Sequence, residues 1–187
     1  MATQDRFTIS NGRVTATIKA DGAELCSLKD ARGHEVLWQA GAEWPRHAPI
    51  LFPIVGRLKG DVLRHRGRTY AMTQHGFARD QRFAWAGQGP TTCALTLSDN
   101  DTTRKKYPFA FRLDVTYAVE GDWLMISYSI TNTSGEMMPA SLGTHPAFNW
   151  PLAEGAEKDA HSIIFGAAEP APDPEMFQRT DEESSNS

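Results

Sequence analysis

From Phe111 to Ile130 the chain alternates apolar and polar residues over two successive runs. Phe111, Leu113, Val115, Tyr117 and Val119 form the first; Leu124, Ile126, Tyr128 and Ile130 follow after Glu120-Gly121-Asp122. A period of two puts every second side chain on one face, so the pattern predicts a β-hairpin with one face buried. Shorter patterns of the same kind occur at 14–19, 23–28, 35–38, 68–72 and 92–97, punctuated by Asp21-Gly22, Arg32-Gly33 and Gly87-Gln88-Gly89-Pro90. No long amphipathic helix competes with them. Many short strands joined by glycine-containing turns predict an all-β fold, an antiparallel β-sandwich or a related two-sheet arrangement.

A chain of 187 residues, 40% hydrophobic and 22% charged, is of a size and composition for one globular domain. Its first residues lack the basic and then apolar pattern of a secretory signal, and no apolar run is long enough to cross a membrane, so the expected location is the cytoplasm. Cys26 and Cys93 lie far apart without a C-x-x-C pairing and read as small buried hydrophobes. A net charge of −4 argues against a nucleic-acid binder. Nine acids and two bases fall in residues 153–187, leaving the remainder at +3. Ile163, Ile164 and Phe165 offer one more short strand. The segment from Ala167 to Ser187 is rich in Pro, Ala, Glu and Ser and reads as a loose acidic tail, with the folded domain over residues 1–166.

Three stretches look unlike ordinary turns. Pro49-Ile50-Leu51-Phe52-Pro53-Ile54-Val55-Gly56-Arg57-Leu58 is an apolar approach, broken by Pro53, that delivers Arg57. Gln74-His75-Gly76-Phe77-Ala78-Arg79-Asp80 crowds an amide, an imidazole and a guanidinium around a glycine. Ser141-Leu142-Gly143-Thr144-His145-Pro146-Ala147-Phe148-Asn149-Trp150 sets one histidine among aromatic and amide residues. An unperturbed imidazole titrates near pH 6.5 and moves protons at neutral pH with little tuning. Phe148 and Trp150 suit the floor under a sugar ring, and Asn149 suits its hydroxyls. Each stretch also has a plain structural reading: a strand-end histidine, a surface turn with an Arg79-Asp80 pair, a solvated Arg57.

In this order, Leu-Phe-Pro-Ile-Val-Gly-Arg, Gln-His-Gly-Phe-Ala-Arg and Gly-Thr-His-Pro-Ala-Phe resemble the aldose 1-epimerase family. The likeness is narrower to its LacX-like and hexose-6-phosphate mutarotase branch, and it runs from about Phe7 to Leu152. The resemblance implies a galactose mutarotase-like antiparallel β-sandwich and interconversion of the α and β anomers of an aldose. It requires neither cofactor nor metal. It makes His145 the acid at the ring oxygen, Arg57, Gln74 and Arg79 substrate-holding residues, and His75 a ligand for sugar hydroxyls. Two arginines suit a hexose 6-phosphate by their forked geometry, and equally suit neutral hydroxyls. Family members are longer, and their catalytic base is a glutamate near the C-terminus. None of Glu154, Glu157, Glu169, Glu175, Glu182 or Glu183 has a matching context, which implies a C-terminally shortened member with exposed sheet edges prone to self-association.

Three functions follow as expectations: a mutarotase, a sugar-binding protein without turnover, or an oligomerising β-domain without a ligand. The implied partner is a small sugar or sugar phosphate, with no role for nucleic acid or membrane. No H-x-H or H-E-x-x-H metal pair, phosphate-binding loop or G-x-S-x-G elbow appears in the sequence.

Overall fold

The structure is a computed structural model and describes residues 4–152 and 155–164. Strands β1 (Arg6–Ser10), β2 (Thr15–Lys19) and β3 (Leu25–Lys29) form an antiparallel sheet in that order. Asn11-Gly12 closes the first hairpin: the Asn11 side-chain oxygen accepts from the backbone N–H groups of Arg13 (3.0 Å) and Val14 (2.9 Å). β4 (Ile50–Leu51) is followed by the hairpin of β5 (Val62–His65) and β6 (Arg68–Ala71). A second sheet joins β7 (Ala84–Gln88), β8 (Thr92–Ser98), β9 (Phe111–Glu120) and β10 (Trp123–Asn132), in the spatial order β10-β9-β8-β7 and antiparallel throughout. A single helical turn, α1 (Asp101–Arg104), is capped by Asn100, whose side chain accepts from the N–H groups of Thr102 and Thr103. β11 (Gly143–Thr144) returns to pair with β4.

The core lies between the two sheets. Ile9, Ile18 and Leu25 on one side share a continuous buried cluster with Leu95, Leu113, Val115 and Tyr117 on the other. The Tyr117 hydroxyl crosses the layer to donate to the carbonyl of Ala23 at 2.7 Å. Left unmade, that buried bond would cost about 1–3 kcal/mol. Beside it, Phe52, Phe77, Tyr107 and Phe111 pack ring against ring, with Phe52 and Phe111 centroids 5.1 Å apart. Cys26 and Cys93 are both free and buried, and burial pushes the Cys93 thiol up to about 11. Both act as packing residues.

The 111–130 alternation is the hairpin of β9 and β10, in continuous register from Phe111↔Asn132 to Glu120↔Trp123. Its inner row is buried along β9, whereas on β10 Leu124 and Tyr128 are half covered and Ile126 and Ile130 are exposed. Among the described strands β10 is the outermost of its sheet, with β9 as its neighbour. The expected strand at 35–38 is instead a pair of isolated bridges, Lys29↔Glu35 and Leu37↔Phe148. There the Glu35 carboxylate accepts from the N–H groups of Leu28 (2.8 Å) and Leu37 (3.0 Å), taking the place of a ladder partner. Ile163 and Ile164 form no strand, and Phe165 and the acidic 167–187 segment lie outside the described residues.

Candidate functional site

The apolar approach and the Gln74-His75-Gly76 turn meet at Phe52. Gly76 bridges Phe52 in parallel sense, and the Phe52 carbonyl accepts from the N–H groups of Phe77 (2.9 Å) and Ala78 (3.2 Å). Gly76 has φ +72°, and a Cβ there would stand 2.2 Å from the Phe52 carbonyl oxygen. Only a bare glycine in the left-handed region permits this approach. Gly76→Ala therefore unseats the turn, adding about 1–2 kcal/mol of backbone strain to the clash. Urea denaturation and sugar titration of that variant should show lost stability and lost binding together.

His75 is fixed by two bonds to Gly56. Its own N–H donates to the Gly56 carbonyl at 2.8 Å, and the Gly56 N–H donates to its Nδ1 at 3.0 Å. An Nδ1 that accepts leaves the proton on Nε2, so the neutral ring presents a single N–H donor. Burial first, then the charges of Arg79 and His145, hold its pKa below the ordinary histidine value. The sign follows: the neutral, bonded ring is fully present above pH 6.5, and its contribution is lost as the pH falls through the depressed pKa. An NMR titration should place the His75 midpoint below 6.5; a midpoint above it would contradict the bond to Gly56.

Around His75 lies a cleft of about 190 Å³ lined by Trp44, Pro49, Leu51, Gln74, His75, Arg79 and His145. Arg79 rides on the short 3₁₀ turn Ala78–Asp80, and one of its terminal nitrogens donates to the Gln74 carbonyl at 2.8 Å. Its Nε is buried without a hydrogen-bond partner among the described residues, with an Asp80 oxygen 3.8 Å away. Burial and the neighbouring Arg46 lower the Arg79 pKa, and the guanidinium remains a cation. His145 sits just past β11, its backbone N–H donating to the Pro49 carbonyl at 3.1 Å. The Trp44 ring lies against it, centroids 5.2 Å apart. Among the described residues no carboxylate lines the cleft.

Gln74, His75, Arg79 and His145 are thus brought together from two distant stretches. Arg57 is not: Asp61 binds its Nε (2.7 Å) and a terminal nitrogen (2.6 Å) on the exposed surface. The three residues after Ala147 do not line the cleft either. Phe148 pairs with Leu37, the Asn149 amide donates to the carbonyls of Glu35 (2.9 Å) and Leu37 (3.2 Å), and Trp150 lies against His161. The aromatic wall is Trp44, a residue that sequence reasoning passed over because it lies in a loop without periodicity. Its only local signal is an aromatic before Pro45. Among the described residues no group of three His, Cys, Asp or Glu side chains could hold a metal ion. No described helix is long and apolar enough to cross a membrane.

Fold and cleft together define an antiparallel β-sandwich with a small polar site carrying two histidines and an arginine. Residues 5–183 match the family model described as Aldose 1-epimerase, and the chain belongs to that family. The plasmid and chromosomal LacX proteins of Lactococcus lactis subsp. lactis are each 34% identical over 179 residues, covering 92% of this chain and 60% of theirs. A solved galactose mutarotase related enzyme from Lactobacillus acidophilus is 42% identical with a TM-score of 0.79, covering 82% of this chain and 52% of that one. A galactose mutarotase-like protein from Lactobacillus casei is 40% identical with a TM-score of 0.76, at the same coverages. The chain therefore spans between about half and three fifths of these relatives' length. The family match runs beyond Leu152 to residue 183 and so takes in most of the acidic segment.

Proposed function

We propose that the cleft holds the ring of a single hexose and that this chain supplies the acid side of an aldose 1-epimerase. The observation that carries the reading is the convergence of Gln74, His75, Arg79 and His145 with Trp44 on one small cavity. Mutarotation needs an acid at the ring oxygen, a base at the C1 hydroxyl, and groups that keep the open chain in place until it recloses. His145, exposed at the cleft, is the acid. The Nε2–H of His75 and the guanidinium of Arg79 donate to sugar oxygens, Gln74 does both, and Trp44 faces the apolar side of the ring. The relatives' descriptions as mutarotase-related proteins support the same chemistry.

Among the described residues one guanidinium, that of Arg79, lines the cleft, and Arg57 pairs with Asp61 on the exposed surface. A free hexose is therefore the better substrate class than a hexose 6-phosphate, whose phosphate calls for a second cation. Binding without turnover is the second reading, and it fits a lining in which the described residues include no carboxylate. Glu154, Glu169, Glu175, Glu182 and Glu183 lie outside the described residues.

NMR magnetisation transfer on glucose, galactose and glucose 6-phosphate separates the two. Faster anomer exchange of a free hexose supports the mutarotase. Saturable binding with no change in rate leaves the binding protein, and preference for the phosphate overturns the substrate class. We also read β10, an edge strand without charge or proline, as a surface for self-association. A mass that rises with concentration in light scattering supports this, and a constant monomer opposes it.

A further inference from the structure

We propose that Glu24, which lies outside the cleft, is a positioning residue that sets the place of His145 and Trp44. The inference rests on the reading of the cleft as a sugar site. Glu24 is 2% exposed, and it is the one carboxylate among the buried side chains described. One of its oxygens accepts from two consecutive backbone N–H groups, His47 at 2.8 Å and Ala48 at 2.9 Å. The other takes the Lys19 ammonium at 2.5 Å. Burial by itself raises its pKa, and the bonds from Lys19, His47 and Ala48 outweigh that, holding the carboxyl below its ordinary value. The group is an anion at neutral pH that accepts from three donors.

What it grips is the rail on which His145 rides. The His47 carbonyl accepts from Ala147 at 2.9 Å, the Pro49 carbonyl accepts from His145 at 3.1 Å, and Ile50 and Leu51 pair with Thr144 and Gly143. β4 and β11 are only two residues each, too short to fix their own position in the fold. Pro49 has no N–H to offer a neighbour, so the two donors just before it are where the segment is tied. Trp44, whose ring lies tilted against His145, stands three residues upstream of the same tie.

Glu24 also closes the turn between β2 and β3, and that turn abuts the opposite wall of the cleft. Gly22 donates to the Gln81 carbonyl at 2.7 Å, and a Cβ on Gly22 would stand 2.8 Å from the Arg79 carbonyl oxygen. One hairpin end therefore contacts the backbone carrying Arg79 and, through Glu24, the backbone carrying His145. The separation of the two walls is set where neither touches a ligand.

The test is amide hydrogen exchange and imidazole NMR on the full chain, comparing the parent with Glu24→Gln. Glutamine keeps the shape and one acceptor oxygen but turns an NH₂ toward the Lys19 ammonium. The His145 and Ala147 amides should exchange about tenfold faster while β9 amides such as Val115 keep their protection, as expected of a local opening. The His145 ring signals should shift, and sugar affinity should fall about tenfold. Lys19→Met, at a half-exposed site, removes the ion pair more gently and should give the same pattern at smaller size should the first variant fail to fold. Uniform acceleration of all core amides, or unchanged His145 signals in a folded variant, overturns the proposal. A parent protein that binds no sugar would sink the cleft reading instead, because the amide pattern is read without sugar.

Discussion

If the chain is the mutarotase proposed, the His145→Ala protein should exchange hexose anomers at least about a hundredfold more slowly than the parent, the factor a positioned acid contributes. Its stability changes by no more than about 0.5 kcal/mol, because the side chain is exposed. The bond holding the loop runs from the backbone N–H to the Pro49 carbonyl and survives the substitution. Arg79, Gln74 and His75 remain in place, so sugar affinity falls only a few-fold. The diagnostic result is a loss of rate far larger than the loss of binding. Anomer exchange measured by magnetisation transfer, beside a sugar titration, supplies both quantities. A variant that exchanges as fast as the parent would remove the imidazole from the reaction.

Phe52→Ala unfolds the protein at much lower denaturant, losing about 3–5 kcal/mol. Phe52 is fully buried and touches three further rings, those of Phe77, Tyr107 and Phe111. Its removal leaves a hole that rigid aromatics on three sides cannot close. The loss is a large share of the 5–15 kcal/mol by which a domain is stable. It also strikes the site, since the Phe52 carbonyl carries the turn that presents His75. Urea unfolding followed by near-ultraviolet circular dichroism reads the effect. A change below about 1 kcal/mol would mean that the aromatic cluster is loosely packed.

The hairpin of β9 and β10 was legible in the sequence because ten-residue strands repeat a period-two signal several times. β4 and β11 were not, since two residues carry no period, and β1 and β7 are short strands with mixed patterns. Of the residues expected in the site, Gln74, His75, Arg79 and His145 meet in one cleft. Arg57 fails to join them for a reason invisible in the motif: Asp61, four residues on, claims its guanidinium. Phe148 and Asn149 bind the neighbouring 35–37 segment instead of the cleft, a contact fixed by long-range packing. Trp44 and Glu24 enter only through tertiary structure. Trp44 lies against His145, about a hundred residues on, and Glu24 accepts from His47 and Ala48, more than twenty residues on; no local pattern announces either contact.

A titration of the isotope-labelled chain with galactose and with glucose, watching the imidazole signals of His75 and His145 and the indole of Trp44, tests the sugar cleft most directly. The three should move together along one binding curve, with Phe148 and Trp150 unmoved. Shifts confined to Phe148 and Trp150, or no saturable shift at millimolar sugar, would contradict it.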